Sequence, residues 1–360
     1  MNQSDINKNF TQPLLKWYEQ FGRKDLPWQH PKQPYPVWIS EVMLQQTQVK
    51  TVIPYFNAFM KRFPDIQTLA KASLDDVLSH WSGLGYYSRG RNIHKSANLI
   101  ISEHGGCFPN TFDDLLRLPG VGESTASAIL SIAYNQPTAI LDGNVKRVLA
   151  RYFKVDGDTK RREVIQTLWE LASLCMSKTR CSDYTQAIMD LGATCCKVKQ
   201  PLCITCPLKA SCSAYKDNQV DMFPQKPPKK AKPIKSAYFF LIYNQNNSIY
   251  LEQRPEKGLW GGLWCLPETK YGNGDAIDYL KQHYNASILS HKPLITFTHH
   301  FTHFQLNIHA LATQVLDNIK SNASTPGGWY ALNRLSDLGI AKPIRLIVDA
   351  FQKELVEEIG

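Results

Sequence analysis

Four closely spaced cysteines restrict the fold of this 360-residue chain more than any other feature of its sequence. They are Cys196, Cys203, Cys206 and Cys212, with the spacing C-x6-C-x2-C-x5-C. Four thiolates in one short loop repel one another unless a cationic centre neutralises them, and such sets usually bind zinc or an iron–sulfur cluster. Structural zinc sites typically combine two C-x2-C pairs, whereas this loop has one. The spacing is therefore not typical of structural zinc, and an iron–sulfur cluster, zinc and unrelated free thiols stay open as alternatives at this point.

The remaining composition is that of an ordinary globular protein. Hydrophobic residues make up 43% of the chain and charged residues 20%, which is normal for a protein with a buried core. The 9 cysteines are an odd number, and the N-terminal residues lack a secretory pattern, so a disulfide framework is not expected. No apolar run is long enough to cross a bilayer. We therefore expect a cytoplasmic protein with no membrane partner.

A Pro- and Lys-rich segment, residues 224–235, divides the chain. It has almost nothing to bury, which indicates a semi-extended linker. Residues 236–360 hold 10 Lys and Arg against 11 Asp and Glu, whereas the first 235 residues hold 31 against 20. The basic N-terminal part favours a polyanionic partner, with a simple solubility excess as the alternative. We predict one domain over residues 1–223, the linker over 224–235 and a second domain over 236–360.

Hydrophobic periodicity differs on the two sides of this linker. Before it, apolar residues recur at helical spacing, for example in Leu14–Phe21 and throughout Val37–Phe63, which predicts a helical region. After it, Ala237–Tyr243 and Ser248–Gln253 are predicted to be short strands, and Pro343–Leu355 a closing helix. The predicted fold class is a mainly α N-terminal region followed by an α+β domain.

Two features of the N-terminal region favour contact with phosphates. The string Leu-Pro-Gly-Val-Gly at 118–122 precedes a predicted helix, and Gly120 and Gly122 would let backbone N–H groups face a phosphate at its N-terminus. This string resembles the hairpin of helix–hairpin–helix DNA-binding proteins. Lys197 and Lys199 lie inside the cysteine loop, where they either face a phosphate backbone or tune a redox potential. We favour the phosphate interpretation.

Two carboxylates are candidates for chemistry. Glu41 lies on a predicted helix with Val37, Trp38 and Leu44 as helical neighbours. Desolvation there would raise its pKa and favour the protonated acid, which can donate a proton; an exposed glutamate on a polar stripe is the alternative. Asp142 ends an apolar run before a predicted helix, so it is expected to be an N-cap. A carboxylate fixed at that position could stabilise a cationic sugar.

Five motifs together resemble one family. They are Glu-Val-Met-Leu-Gln-Gln-Thr-Gln-Val (41–49), Gly-Leu-Gly-Tyr-Tyr-Ser-Arg (83–89), Leu-Pro-Gly-Val-Gly-x-Ser-Thr-Ala (118–126), Leu-Asp-Gly-Asn-Val (141–145) and the cysteine loop. Their order and spacing resemble those of the MutY-type adenine DNA glycosylases, within the endonuclease III superfamily of helix–hairpin–helix glycosylases. The resemblance implies a six-helix barrel, an iron–sulfur module with one [4Fe–4S] cluster, and a Nudix-like C-terminal domain.

The resemblance also implies a reaction. Members of the family flip out and remove adenine mispaired with 8-oxoguanine or guanine, as a step of base excision repair. Glu41 would protonate adenine at N7, and Asp142 would stabilise the resulting oxocarbenium-like cation. Asn144 would help to position groups around the sugar and the water. The family's lyase relatives carry a lysine where this chain has Ser124, and serine cannot form a Schiff base. The expected enzyme is therefore monofunctional.

Contacts to DNA follow from the same resemblance. Residues matching Gln45 and Tyr86 intercalate around the mispair in the family, although Tyr86 could equally be a core tyrosine. The other expected DNA contacts are Gln46, Thr47, Gly120, Gly122, Ser124, Lys197 and Lys199. The C-terminal domain resembles the part of the family that recognises 8-oxoguanine, through Phe301, Thr302 and His303. The family commonly has serine where this chain has Thr302, which keeps the hydroxyl and adds a methyl group.

The expected partner is double-stranded DNA that contains such a mispair. We expect a monomer of bacterial type associated with the nucleoid. Two rival functions remain open at this point: a pyrimidine-specific lyase of the endonuclease III type, and a DNA-binding or redox-sensing iron–sulfur protein without catalysis. Ser124 argues against the first, and the presence of both Glu41 and Asp142 argues against the second.

Overall fold

Helices form the N-terminal part of the chain, as the 3.6-residue periodicity predicts. In the computed structural model they are α1 (Gln3–Ile6), α2 (Gln12–Phe21), α3 (Pro34–Leu44), α4 (Val49–Arg62), α5 (Ile66–Lys71), α6 (Leu74–Trp81), α7 (Ser88–His104), α8 (Phe112–Arg117), α9 (Glu123–Tyr134), α10 (Gly143–Phe153), α11 (Arg162–Cys175), α12 (Cys181–Asp190) and α13 (Ser213–Lys216). Short 3-10 or π turns connect several of them. The mainly α prediction for this region is confirmed.

The structure describes residues 2–225, 231–269, 273–316, 319 and 326–359. Part of the predicted linker, residues 226–230, therefore lies outside the described residues. By its internal packing the chain divides into two units, residues 1–71 with 92–229 and residues 72–91 with 230–360. The boundaries at residues 223 and 236 stay a prediction.

The helical spacing of apolar residues over Val37–Phe63 corresponds to two helices, α3 and α4, with a turn between them. The helix ends at Leu44 and resumes at Val49. Gln46 has a φ of 60°, and a residue in this left-handed region cannot continue a right-handed helix. Gln45, Gln46 and Thr47 therefore lie in a turn instead of on a helix face.

Helix α9 is central in the first unit. All residues from Thr125 to Ile132 are buried, so the helix is covered on every side. Small side chains such as Ala126 and Ala128 let neighbouring backbones approach closely, and α9 packs against both α3 and α12. Because Glu41 lies on α3, this packing fixes its position relative to α9.

The C-terminal part is an α+β domain, as predicted. Its strands are β1 (Ile234–Tyr243), β2 (Ser248–Gln253), β3 (Trp264–Cys265), β4 (Glu268–Thr269), β5 (Ile288–His300), β6 (Gln305–Val315) and β7 (Gly327–Ala331), and its helices are α14 (Asn273–Tyr284) and α15 (Lys342–Ile359). The sheet order is β3-β2-β1-β6-β5, with β4 beside β1 and β7 beside β2. Strands β1 and β6 run parallel, and the other pairs are antiparallel.

Helix α6 and the turn after it pack within the second unit. The Ser82 hydroxyl donates to the Ile340 carbonyl at 2.7 Å, and the Trp264 indole N–H donates to Asp75 at 3.2 Å. Between Phe301 and Phe304, a four-residue turn joins β5 to β6 and is closed by a backbone hydrogen bond of 2.9 Å. Among the residues that the structure describes, no helix is long and apolar enough to cross a membrane.

Candidate active site

Glu41 lies near the end of α3 with its carboxylate largely surrounded by protein. Its helical neighbours Val37 and Trp38 are fully buried, and the Glu41 side chain is itself mostly shielded. Burial raises the pKa of Glu41 from 4.5 to about 8, and the negative charge of Asp142 adds to this shift. The sequence prediction of a desolvated acid fits this geometry, whereas an exposed polar stripe does not.

Asp142 caps α10, as the sequence predicts. Its side chain accepts a hydrogen bond from the backbone N–H of Val145 at 2.7 Å and a second from the side-chain amide of Asn144 at 2.9 Å. Burial raises the pKa of Asp142, while these hydrogen bonds and the charge of Arg147 oppose the shift. The donors stabilise the anion, so Asp142 holds the negative charge more readily than Glu41 does.

The two carboxylates are therefore suited to different tasks. Each is largely buried, but hydrogen-bond donors stabilise the ionised form only at Asp142 among the interactions that shift the two pKa values. When Asp142 ionises, its charge further favours the protonated form of Glu41. Such a pair can supply a proton from one member and an anion from the other near neutral pH.

Ser124 connects α9 to the segment that carries Asp142. Its hydroxyl accepts a hydrogen bond from the backbone N–H of Leu141 at 3.1 Å. Because Leu141 immediately precedes Asp142, this bond holds the cap residue relative to α9. Helix α9 packs in turn against α3, and this brings Glu41 and Asp142 together.

Arg147 was not identified from the sequence, yet it links the carboxylates to the cysteine loop. Its guanidinium donates to the Asn144 side-chain oxygen at 3.0 Å, to the Gly192 carbonyl at 2.5 Å and to the Cys196 carbonyl at 2.8 Å. Asn144 in turn donates to Asp142. The sequence signal for the contact with Asn144 is the three-residue spacing, since residues 144 and 147 share one face of a helix.

The four cysteines of the loop line a single cavity. Cys196, Cys203, Cys206 and Cys212 line it together with the apolar side chains of Val148, Tyr152, Leu191, Leu202 and Leu208. Among the described residues, no three acidic, histidine or cysteine side chains are close enough together to hold a single metal ion. Thiols placed around one pocket fit a polyatomic centre, because the irons of a cluster hold its ligands apart.

A second buried arginine supports this cavity. Arg151 donates to the sulfur of Cys196 at 3.3 Å and to the carbonyl of Lys197 at 2.7 Å. A guanidinium beside a thiolate offsets part of the negative charge that four such ligands bring. Cys195 also lines the cavity, so the choice of Cys196 as the ligand depends on the sequence spacing. The chemistry of the donors and the space between them fit a [4Fe–4S] cluster.

The predicted hairpin lies directly before α9. Gly120 has a φ of 80°, and a side chain there would collide with Asn92. Gly122 precedes the first residue of α9 without any side-chain cap, and a Cβ on it would meet nothing within 4 Å. The first backbone N–H groups of α9 are thus available to a phosphate.

The turn between α3 and α4 reaches this hairpin. The Gln45 amide lies 3.5 Å from the Gly120 carbonyl and 3.3 Å from the Thr125 hydroxyl. Gln46 is exposed and Thr47 is half-buried. In the cysteine loop Lys197 is half-buried and Lys199 is exposed. The structure thus brings Gln45 to the hairpin, while the lysines lie at the surface of the cysteine loop.

Tyr86 and the loop at 301–303 lie in the second unit. The Tyr86 side chain is 44% exposed, so it is not a core tyrosine. Its hydroxyl is 2.8 Å from the hydroxyl of Thr302. Phe301 packs in a cluster of aromatic rings, whereas Thr302 and His303 are exposed at the tip of the turn. The structure therefore joins one predicted intercalating residue to the predicted lesion-reading loop.

Comparison with known proteins extends these observations. Residues 39–173 match the HhH-GPD superfamily of base excision DNA repair proteins, and residues 238–350 match the NUDIX domain. An adenine DNA glycosylase of Buchnera aphidicola subsp. Schizaphis graminum is 42% identical, over 95% of this chain and 99% of the relative. The adenine DNA glycosylase of Mus musculus is 33% identical, over 95% of this chain and 78% of the relative.

Solved structures resemble the helical part. A thermostable thymine-DNA glycosylase is 27% identical with a TM-score of 0.55, over 59% of this chain and 98% of its own. Endonuclease III in a non-covalent complex with DNA is 22% identical with a TM-score of 0.52, over 61% of this chain and 98% of its own. The second likeness concerns the fold alone.

Proposed function

Because this chain belongs to the adenine DNA glycosylase family, a group of base excision repair enzymes that act on DNA, we propose that it excises adenine mispaired with 8-oxoguanine or guanine. The adenine would leave the base stack and enter the site formed by Glu41 and Asp142. The observation that carries the proposal is the pairing of these carboxylates, with the pKa of Glu41 raised to about 8.

Glu41 acts as the general acid in the proposed reaction. Its proton moves to N7 of adenine, and the electrons of the C1′–N9 bond then leave with the base as neutral adenine. The sugar becomes an oxocarbenium-like cation. Water adds to C1′ and gives up a proton to a carboxylate of the site, which leaves an abasic sugar in the DNA.

Asp142 stabilises the cation through its negative charge. Two hydrogen bonds fix its carboxylate before the reaction begins, so little reorganisation is needed when the positive charge develops. Asn144 holds one of the carboxylate oxygens and is itself held by Arg147. These contacts support a positioning role for Asn144 beside its proposed place near the sugar and the water.

The proposed enzyme is monofunctional. A lyase of the endonuclease III type needs an amine that attacks C1′, and Ser124 presents a hydroxyl that is already bonded to the Leu141 backbone. We therefore propose that strand cleavage is at most weak. The abasic site would be the released product.

DNA would be bound by the hairpin, the cysteine loop and the turn after α3. Gly120, Gly122 and Ser124 would face one phosphate group at the start of α9, and the lysines of the cysteine loop would face another. The residues proposed to contact or enter the base stack are Gln45, Gln46, Thr47 and Tyr86. The loop of Phe301, Thr302 and His303 would read 8-oxoguanine on the opposite strand.

The four loop cysteines would hold a [4Fe–4S] cluster. When bound, the cluster would neutralise the thiolates and cross-link residues 196–212 into one rigid loop. That loop presents Lys197 and Lys199, and its Cys196 carbonyl accepts a hydrogen bond from Arg147. The proposed contribution of the cysteines is therefore structural, with the chemistry performed by Glu41 and Asp142.

A single-turnover assay tests the proposal. Duplexes with adenine opposite 8-oxoguanine are mixed with excess enzyme, and free adenine is measured. The native chain should release adenine and Glu41→Gln should not, while the control Glu103→Gln, at an exposed position on α7, should match the native chain. Unchanged release by Glu41→Gln would remove Glu41 from the mechanism. A borohydride-trapped covalent product would instead identify a lyase.

A further inference from the structure

Tyr86 is held as a fixed, exposed ring. Its backbone is in the left-handed region at a φ of 48°, between Gly85 and the start of α7. The guanidinium of Arg89 lies 5.4 Å from the Tyr86 ring and 5.5 Å from the Trp81 ring. Arg89 and Trp81 also both donate to the Gly85 carbonyl. A left-handed backbone held by these contacts fixes the direction in which the tyrosine side chain points.

The loop that faces Tyr86 is fixed as well. Phe301 stacks on Phe304 at 4.5 Å and lies edge-on to His299 at 4.6 Å. The Lys232 amine donates to the Phe301 carbonyl at 2.9 Å. Because the residue before Thr302 is anchored, the Thr302 hydroxyl has a defined position at the tip of the turn.

The two fixed elements meet in one hydrogen bond, between the hydroxyls of Tyr86 and Thr302 at 2.8 Å. Both side chains are exposed, so the bond adds little to folding stability. Each hydroxyl has one proton and can both donate and accept. If Thr302 donates to Tyr86, the Thr302 hydroxyl can only accept a hydrogen bond from a base. If Thr302 accepts from Tyr86, its own proton stays available to the base.

Guanine and 8-oxoguanine differ at the atom where that direction matters. N7 of guanine is a hydrogen-bond acceptor, whereas N7 of 8-oxoguanine carries a proton and is a donor. A threonine hydroxyl with a free proton can satisfy either base. A hydroxyl whose proton is already donated to another group can still accept a hydrogen bond from N7–H of 8-oxoguanine. Opposite guanine, the oxygen lone pairs of that hydroxyl face the lone pair of N7 and no hydrogen bond forms.

We propose that Tyr86 determines specificity by accepting the proton of Thr302, so that the Thr302 oxygen faces the lesion as an acceptor only. This inference rests on the proposed role of residues 301–303 in reading 8-oxoguanine. It adds a second task to Tyr86, which is independent of intercalation by its ring. Exclusion of water when DNA binds strengthens the hydrogen bond and keeps the proton in place.

The test separates the hydroxyl of Tyr86 from its ring. Tyr86→Phe keeps the ring and the contact with Arg89 but frees the Thr302 proton. The dissociation constants and single-turnover rates are measured on duplexes with adenine opposite 8-oxoguanine and opposite guanine. Thr302→Ser, Thr302→Val and the double variant Tyr86→Phe/Thr302→Val are measured alongside. Thr298→Val is the matched control, because Thr298 lies on β5, close to the turn that carries Thr302, and its hydroxyl donates across the strands to the Asn307 side-chain oxygen.

Tyr86→Phe should lower the preference for 8-oxoguanine about tenfold, the size expected for one mispaired hydrogen-bonding group, and chiefly by improving the guanine duplex. Thr302→Ser and Thr298→Val should keep the native preference. The double variant should behave like Thr302→Val and should not show the improvement on the guanine duplex that Tyr86→Phe shows alone. If Tyr86→Phe leaves the preference for 8-oxoguanine unchanged, whether or not it weakens both duplexes equally, the inference is overturned.

The same series distinguishes failure of the inference from failure of the proposed function. If Thr302→Val keeps the native preference, the Thr302 hydroxyl does not read the lesion, and both its proposed role and this inference fail. If Thr302→Val loses the preference and Tyr86→Phe keeps it, the loop reads the lesion without the help of Tyr86. In that case only the inference fails.

Discussion

Replacing Glu41 by glutamine should stabilise the protein while it abolishes adenine release. Glutamine resembles the protonated acid and cannot ionise. The carboxyl has a pKa of about 8 in the folded protein against an ordinary value of 4.5. Between these two values the folded state binds more protons than the unfolded state, so the native protein loses stability as the pH rises.

The size of the effect follows from the two pKa values. At pH 7 the unfolded carboxyl is ionised and the folded one is mostly protonated, which costs the native protein about 3 kcal/mol of stability relative to glutamine. The difference should approach about 5 kcal/mol above pH 8 and vanish below pH 4.5.

Urea unfolding at pH 4.5, 7 and 8.5 measures this difference. The native chain, Glu41→Gln and the exposed control Glu103→Gln are compared side by side, and the free energies of unfolding are subtracted at each pH. The gain in Glu41→Gln should grow with pH and be absent from the control. A gain that is equal at all three values, or a loss at pH 8.5, would refute the argument that burial holds Glu41 protonated.

Three further predictions concern two residues that position the site and one proposed phosphate contact. Arg147→Met removes the donor to Asn144, so the single-turnover rate should fall about tenfold or more with little change in duplex affinity. An unchanged rate would show that the hydrogen bonds from Arg147 through Asn144 do not position Asp142. Ser124→Ala leaves the Leu141 N–H without its acceptor and should cost about 1–3 kcal/mol of unfolding free energy, measured by urea titration, and a neutral result would mean that the bond does not hold the segment. Lys199→Ala should reduce the slope of log affinity against log salt by about one, whereas an identical slope would exclude a phosphate contact.

The local parts of the site could be predicted from the sequence. The apolar neighbours of Glu41 on a helix allowed either desolvation or an exposed polar stripe, and the family resemblance favoured desolvation. The position of Asp142 before a helix indicated the N-cap. Both depend on residues within four positions along the chain, where periodicity and capping rules apply. The strands and the closing helix of the C-terminal domain followed from the same kind of local pattern.

Other parts depend on tertiary packing and could not be predicted. The break in the helix at Gln46 is a backbone feature that helical spacing of apolar residues does not reveal. The contact of Arg147 with the carbonyl of Cys196 joins residues 49 positions apart. The hydrogen bond between Tyr86 and Thr302 joins residues 216 positions apart. Only the packing of the turn after α6 against the turn between β5 and β6 brings them together.

The pH dependence of single-turnover adenine release tests the central claim most directly, because it titrates the proposed acid in the working complex. With enzyme in excess over a duplex containing adenine opposite 8-oxoguanine, the rate should stay high at neutral pH and fall above about pH 8 as Glu41 loses its proton. A rate that falls instead near the ordinary glutamate pKa of 4.5, or that stays level through pH 9, would contradict the assignment of Glu41 as the general acid.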